Sequence, residues 1–235
     1  MFQYEKAWQA VMARIDRATT LAGRPPASVR LLVVSKTFPA ESLRAVHALG
    51  QRRFGENYVQ EALGKMEDLA DVPGIEWHLI GPLQSNKTGT VAERFDWVHT
   101  VDREKIAARL SAGRPDGRPA LNVCVQVNIS GEASKSGVAP EQAVALASAV
   151  AALPGLRLRG LMGIAEPTED VPTQRRQFAV LRKRFAECRA AGLAVDTLSM
   201  GMSADLEAAI AEGSTMVRVG SAIFGARAAR EEANR

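Results

Sequence analysis

Eight short apolar runs, each followed by a stretch with helical spacing, constrain this chain more than any other feature. The runs fall at residues 31–36, 53–57, 76–80, 97–101, 121–129, 157–164, 197–200 and 216–219. Helical spacing follows at 39–49, 58–69, up to Arg94, 102–113, 140–153, 173–191, 204–211 and from Ile223 onward. Strands that are apolar throughout are buried on both faces, as parallel strands covered by helices are. Residues 3–22 add an opening helix, with Trp8, Val11, Met12 and Ile15 on one face. Eight such units and one extra N-terminal helix predict a single (β/α)8 barrel of the TIM type. The competitor is a doubly wound open sheet, and no G-x-G-x-x-G follows the first strand to support it.

The 235 residues suit one domain. The glycines and prolines at 113–119 read as a loop, since composition does not change across them, and the tail after about residue 228 reads as flexible. Asp102 is placed to cap the fifth helix. With 5% aromatic residues the core must be aliphatic and alanine-rich. The formal charge of +4 is spread along the chain, which favours small anionic ligands over nucleic acid. Cys124 and Cys188 form neither a metal motif nor a disulfide framework. The longest apolar run, 143–153, is too short to span a bilayer, and no signal peptide is visible. These features predict a cytoplasmic protein without membrane or nucleic-acid partners.

In such a barrel the site lies at the carboxyl ends of the strands. There the sequence places Lys36, Asn57, Gly81, Asn128, Gly163, residues 200–203 and residues 218–221. A lone strand-end lysine is ordinarily one that reaches to solvent. A desolvated lysine loses its charge and becomes a nucleophile for carbonyl groups. The last two strands end in Met200-Gly201-Met202-Ser203 and Arg218-Val219-Gly220-Ser221. Each couples glycine to a hydroxyl where a helix begins. Either alone is turn chemistry. Together they suit a phosphate, which this barrel often binds after its seventh and eighth strands. With Lys36 opposite, they point to a phosphorylated carbonyl ligand held as a Schiff base.

The motifs Val34-Ser35-Lys36-Thr37, Phe54-Gly55-Glu56-Asn57-Tyr58-Val59-Gln60-Glu61, His78-Leu79-Ile80-Gly81-Pro82-Leu83-Gln84-Ser85-Asn86-Lys87, Asn128-Ile129-Ser130-Gly131-Glu132, Ser134-Lys135-Ser136-Gly137, Ser199-Met200-Gly201-Met202-Ser203 and Arg218-Val219-Gly220-Ser221-Ala222-Ile223-Phe224-Gly225 occur in this order. In them the chain resembles the pyridoxal 5′-phosphate (PLP) homeostasis proteins, whose fold is like the N-terminal domain of alanine racemase. The resemblance implies that Lys36 forms the Schiff base with PLP and that Ser203, Gly220 and Ser221 hold its phosphate. It places Asn57 beside the ring and Arg218 at the pyridine nitrogen, which a neighbouring cation keeps unprotonated. That weakens the ring as an electron sink. Read without the family, Arg218 is a barrel-end salt bridge. Ala204 stands where the family usually has an acid, Ser221 where threonine is common, and Gly163-Ile164-Ala165 where Ala-Ile-Pro is usual.

A two-base racemase needs an acid/base group on each face of its substrate. Tyr4 reads as structural, Tyr58 at least as readily so, and His47 and His99 as structural. His78 is the one histidine near enough to watch, with a core role favoured. The sequence therefore predicts a non-catalytic carrier that stores, buffers or delivers PLP, in transient contact with PLP-dependent apo-enzymes and as a monomer. The alternatives are a PLP-dependent amino-acid racemase and a Schiff-base aldolase.

Overall fold

The structure, a computed structural model, describes residues 3–131 and 136–225. Its strands are β1 (Arg30–Val34), β2 (Arg53–Glu56), β3 (Glu76–Leu79), β4 (Trp97–Val101), β5 (Leu121–Gln126), β6 (Leu156–Met162), β7 (Thr197–Ser199) and β8 (Met216–Val219). They form one closed parallel barrel in chain order, with β8 pairing back onto β1 at Val33 and Val219. Around it lie α1 (Glu5–Leu21), α2 (Ala40–His47), α3 (Val59–Asp68), α4 (Thr88–Arg94), α5 (Glu104–Gly113), α6 (Ala143–Ala151), α7 (Val171–Ala190), α8 (Leu206–Ala211) and α9 (Ser221–Phe224). The (β/α)8 expectation holds, and α1 is the extra helix, packed on α8 and α9.

Strand alternation divides the core. Leu31 and Val33 belong to the large apolar layer between barrel and helices, which also takes Phe178, Leu181, Phe185 and Cys188 from α7. Inside the barrel, Trp97, Cys124 and Met162 form a small separate cluster. The interior also holds polar groups: His78, His99 and Ser199 have no exposed surface and Arg218 is 4% exposed. Burial pushes both histidines below their ordinary pKa, His99 well below. Both cysteines are free and buried. Burial raises the Cys124 thiol to about 12 and that of Cys188 to about 11, so neither is a nucleophile at neutral pH. No described helix is long and apolar enough to cross a membrane.

Several boundaries differ from the sequence reading. The fifth strand stops at Gln126, short of residue 129, because the returning loop takes over: Val138 N–H donates to Gln126 O and Asn128 N–H to Val138 O, both at 2.9 Å. The sixth stops at Met162, although the Gly163 N–H still donates to Ser199 O at 3.2 Å. Asp102 does not cap α5. Arg103 occupies that position, and its guanidinium takes the Asp102 carboxylate at 2.7 Å. Residues 140–142 form a single 3-10 turn before α6. Residues 204 and 205 precede α8, with Asp205 accepting the Met202 N–H at 2.6 Å. The last helix ends at Phe224, and the tail and the Ser134-Lys135 motif lie outside the described residues.

Gly160 has φ 151°, and a Cβ there would lie 1.9 Å from the Thr197 carbonyl oxygen. Gly160→Ala should therefore destabilise the fold by roughly 1–3 kcal/mol or more. Exposed Gly64, inside α3 with open space around it, should gain about 0.5–1 kcal/mol as Ala. Urea denaturation of both variants checks this. The buried histidines add a pH dependence. Their folded pKa values lie below the unfolded value of 6.5, so the stability they confer is present above that pH and is lost as pH falls. Urea midpoints measured between neutral and mildly acidic pH should decline accordingly.

Candidate active site and cofactor pocket

Lys36 is not on the strand. β1 ends at Val34, and Lys36 sits half-buried on the turn that leads to Pro39 before α2. The turn is tight: Phe38 N–H donates to Ser35 O at 3.1 Å, and Thr37 takes φ 70°, a conformation a β-branched residue adopts only under constraint. The constraint is a buried ion cluster from β2 and α3. Lys65 Nζ donates to Ser35 O at 2.8 Å and to Glu56 Oε1 and Glu61 Oε1, each at 2.7 Å. Glu61 also accepts the Thr37 N–H, and Ser35 Oγ donates to Glu56 Oε1 at 2.6 Å. The backbone is thus gripped on both sides of Lys36. Alternation turns Ser35 toward this cluster and Lys36 the other way. Glu56 is fully buried, and burial raises its carboxyl above the ordinary value against the pull of Lys65 and Ser35.

Lys36 opens into a cavity of about 340 Å³ at the carboxyl end of the barrel. All six residues singled out from the sequence line it: Lys36, Asn57, Ser203, Arg218, Gly220 and Ser221. Met202, within the turn the sequence placed at the site, supplies an apolar wall together with Phe38, Ile80 and Ile164, which periodicity alone did not assign there. Phe38 is itself stacked on Phe224 of α9, centroids 4.6 Å apart. Its described lining carries the Arg218 guanidinium and Lys36 but no carboxylate, and a guanidinium near paired hydroxyls suits an anion.

Two turns form one pole of the cavity. Ser221 Oγ donates to Ser203 Oγ at 3.3 Å, which brings the hydroxyls of the seventh and eighth turns together. Ser203 is steadied from behind, where Arg14 of α1 donates to its carbonyl at 3.0 Å and pairs with Glu207 at 2.8 Å. Glycine is needed at Gly220, where a Cβ would meet the Val34 carbonyl at 2.7 Å. The same holds on the opposite wall: a Cβ on Gly81 would lie 2.1 Å from the Asn57 carbonyl, so only glycine lets β3 end against Asn57.

Arg218 forms the floor. It makes no ion pair among the described residues, contrary to the salt-bridge reading. Instead one terminal nitrogen donates to Ser199 O at 2.6 Å and Ser199 Oγ at 2.8 Å, and the other to Gly163 O at 2.9 Å. Burial lowers its pKa to about 10, which leaves it protonated at neutral pH. The donor set fits PLP. Hydroxyls and a glycine turn suit the phosphate, a guanidinium suits a ring nitrogen, and a gripped lysine suits the aldehyde.

A second cavity of about 290 Å³ adjoins the first through Asn57, Ile80 and Ile164, and takes in Gly81, Thr100, Gln126 and Asn128. Met200 is in the core, away from both. Tyr4 packs edge-on against Phe224 and Tyr58 is largely exposed outside both linings. His47 meets the Pro73 carbonyl at 3.0 Å, and His78 and His99 lie below Arg218 in the barrel interior.

The family described as alanine racemase, N-terminal domain, matches residues 8–228. A pyridoxal phosphate homeostasis protein of Pseudomonas aeruginosa is 62% identical over 217 residues, covering 92% of this chain and 93% of that protein. The one from Escherichia coli is 53% identical over 222 residues, covering 92% and 94%. Among solved structures, PipY of Synechococcus elongatus with PLP bound superposes with TM-score 0.78 at 39% identity, covering 90% of this chain and 99% of that one. A Clostridium difficile alanine racemase, at 13% identity and TM-score 0.69, shares the fold over 93% of this chain and 57% of its own.

The ion cluster behind Lys36 has a measurable weight. Lys65→Met strands two carboxylates, one of them fully buried, and should cost about 3–5 kcal/mol in urea denaturation.

Proposed function

This chain belongs to the alanine racemase N-terminal domain family and, within it, to the pyridoxal phosphate homeostasis proteins, and on that premise we propose that it binds PLP through Lys36 and stores, buffers or delivers the cofactor. The observation that carries the proposal is the single anion-favouring cavity that brings Lys36, Arg218 and the Ser203–Ser221 hydroxyl pair together. Asn57, Gly220 and Ser221 complete the set. When bound, PLP supplies an aldehyde that condenses with amines and a ring that draws electrons when its nitrogen is protonated. Arg218 keeps its own proton and opposes that protonation, since two adjacent cations repel. Lys36 Nζ is presented from a turn fixed on both sides. The second cavity, open beside the first, leaves room for an incoming amine to displace Lys36.

The racemase reading lacks a second base. Apart from Lys36 and Arg218, no titratable side chain of the described residues lines either cavity. Tyr58 and the histidines, the candidates the sequence offered, lie elsewhere. The proposal therefore includes no dedicated turnover. It extends to a single-domain, monomeric, cytoplasmic carrier that meets PLP-dependent apo-enzymes only in passing.

The purified protein should be yellow, bleach with borohydride, and carry a pyridoxyl mass on the Lys36 peptide. Lys36→Ala should lose that mass, and Ser221→Ala should weaken PLP retention about tenfold, as loss of a hydrogen bond to a charged group does. A colourless protein that takes up no PLP would overturn the reading in favour of an aldolase. Rapid loss of the α-proton signal from L-amino acids in deuterated water would replace it with the racemase.

A further inference from the structure

Below Arg218, away from the cavity, four side chains continue along the barrel interior in single file. Arg218 donates to Ser199 Oγ at 2.8 Å, and Ser199 Oγ lies 2.9 Å from His99 Nδ1. His99 Nε2 lies 2.9 Å from His78 Nδ1, and His78 Nε2 lies 2.8 Å from Glu76 Oε1. Ser199 and both imidazoles are fully buried, and the Trp97 ring stacks on His78 at 5.1 Å with planes 12° apart. At the far end, the Glu76 side chain is 37% exposed at the amino-terminal end of β3, 3.5 Å from Arg53.

The direction of the file follows from which groups can donate. An ionised Glu76 only accepts, so His78 carries its proton on Nε2. A neutral His78 then accepts at Nδ1, so His99 donates from Nε2. A neutral His99 accepts at Nδ1, so the Ser199 hydroxyl donates to it, and Arg218, which only donates, is accepted by the Ser199 lone pairs. Every proton points from Arg218 toward Glu76. The charges facing the imidazoles are Glu76, Arg53 and Asp96 around His78, with Arg30 and Arg218 bearing on His99. Burial works against the Glu76 charge, but His78, Arg53 and Arg30 hold its carboxyl below the ordinary value. Burial and the surrounding cations keep His99 neutral.

We propose that Ser199, His99, His78 and Glu76 are positioning residues that act through Arg218. The file fixes the guanidinium at the pocket floor and gives it, through intervening hydrogen bonds, the carboxylate partner it lacks by contact. The amino-terminal face of the barrel thereby sets how strongly Arg218 donates to a ligand at the opposite end. Hydrogen bonds polarise one another along such chains, so a change at Glu76 reaches Arg218 without moving it. The ligand arm of this inference rests on the PLP reading, and the file itself does not.

Nitrogen-15 NMR of the full-length apo protein labelled at histidine tests the file directly. Both His78 and His99 should be Nε2–H tautomers, with a nitrogen–nitrogen coupling across the bond between them and no titration between about pH 6 and 8, where a free histidine titrates. An Nδ1–H tautomer at either residue, or absence of the coupling, overturns the proposal. The second arm uses PLP as the probe. Ser199→Ala, which removes the hydroxyl acceptor, should weaken PLP affinity about tenfold, and Ser199→Thr should restore it. Glu76→Gln should shift the pH profile of the visible band of the PLP-loaded protein in the same direction as Ser199→Ala. Wild-type affinity and an unmoved pH profile in both Ser199→Ala and Glu76→Gln would sink the coupling. Should the wild-type protein take up no PLP, the functional reading fails while the NMR arm still decides the file.

Discussion

A guanidinium with five N–H groups cannot be taken from water unless acceptors surround it, and at Arg218 the barrel supplies them from the ends of β6 and β7. The carbonyl of Ser199 ends β7, the carbonyl of Gly163 follows β6, and the Ser199 hydroxyl reaches across beneath them. Much of the site's shape follows from meeting this demand with neutral groups. A carboxylate in direct contact would have cancelled the charge. Carbonyls and a hydroxyl hold the cation while leaving its field available to the cavity. The parallel order makes this possible, because β6, β7 and β8 are neighbours whose carboxyl ends lie together.

The same economy governs the lysine. Lys36 is effective because its neighbours are not free to move, and the groups that fix them are charged residues whose own charges are spent on one another. Lys65 binds two carboxylates and one carbonyl, and the cluster faces away from the cavity. The molecule thus separates its charges by role. Those behind the β1 turn hold backbone, and Arg218 at the cavity floor is held by neutral acceptors. Among the described residues, the two cavities carry no titratable side chain besides Lys36 and Arg218.

Much of this was legible in the sequence. The strands at Trp97–Val101 and Met216–Val219 lie where the apolar runs place them, and the glycine–hydroxyl turns that close the last two units do meet at one pole. What stayed hidden has a physical reason. In a strand buried on both faces, alternation does not reveal which side faces the axis, so Trp77, His78 and Leu79 read as a continuous core. That His78 faces His99, and His99 faces Ser199 from the other side of the barrel, depends on strand stagger. The Glu56–Lys65 pair joins two elements whose separation no periodicity encodes. The length of β5 was overestimated because Val127 and Ile129 are apolar, yet Val127 and Asn128 pair with the returning loop at Val138. Asp102 looked like a cap, but its carboxylate found a nearer cation.

Closure of the barrel also has a temporal side. Lys36 follows the first strand while Arg218 and Ser221 belong to the last, and they become neighbours only because β8 pairs with β1. During synthesis, the lysine leaves the ribosome almost a whole chain length ahead of the groups that complete its pocket. A nascent chain therefore carries Lys36 without the Ser203–Ser221 pole or the guanidinium floor. Contacts so distant in sequence are also the slowest to form. The cavity is in this way reserved for the finished molecule, and chains cut short of their final strand lack the Arg218 floor and the Gly220-Ser221 turn.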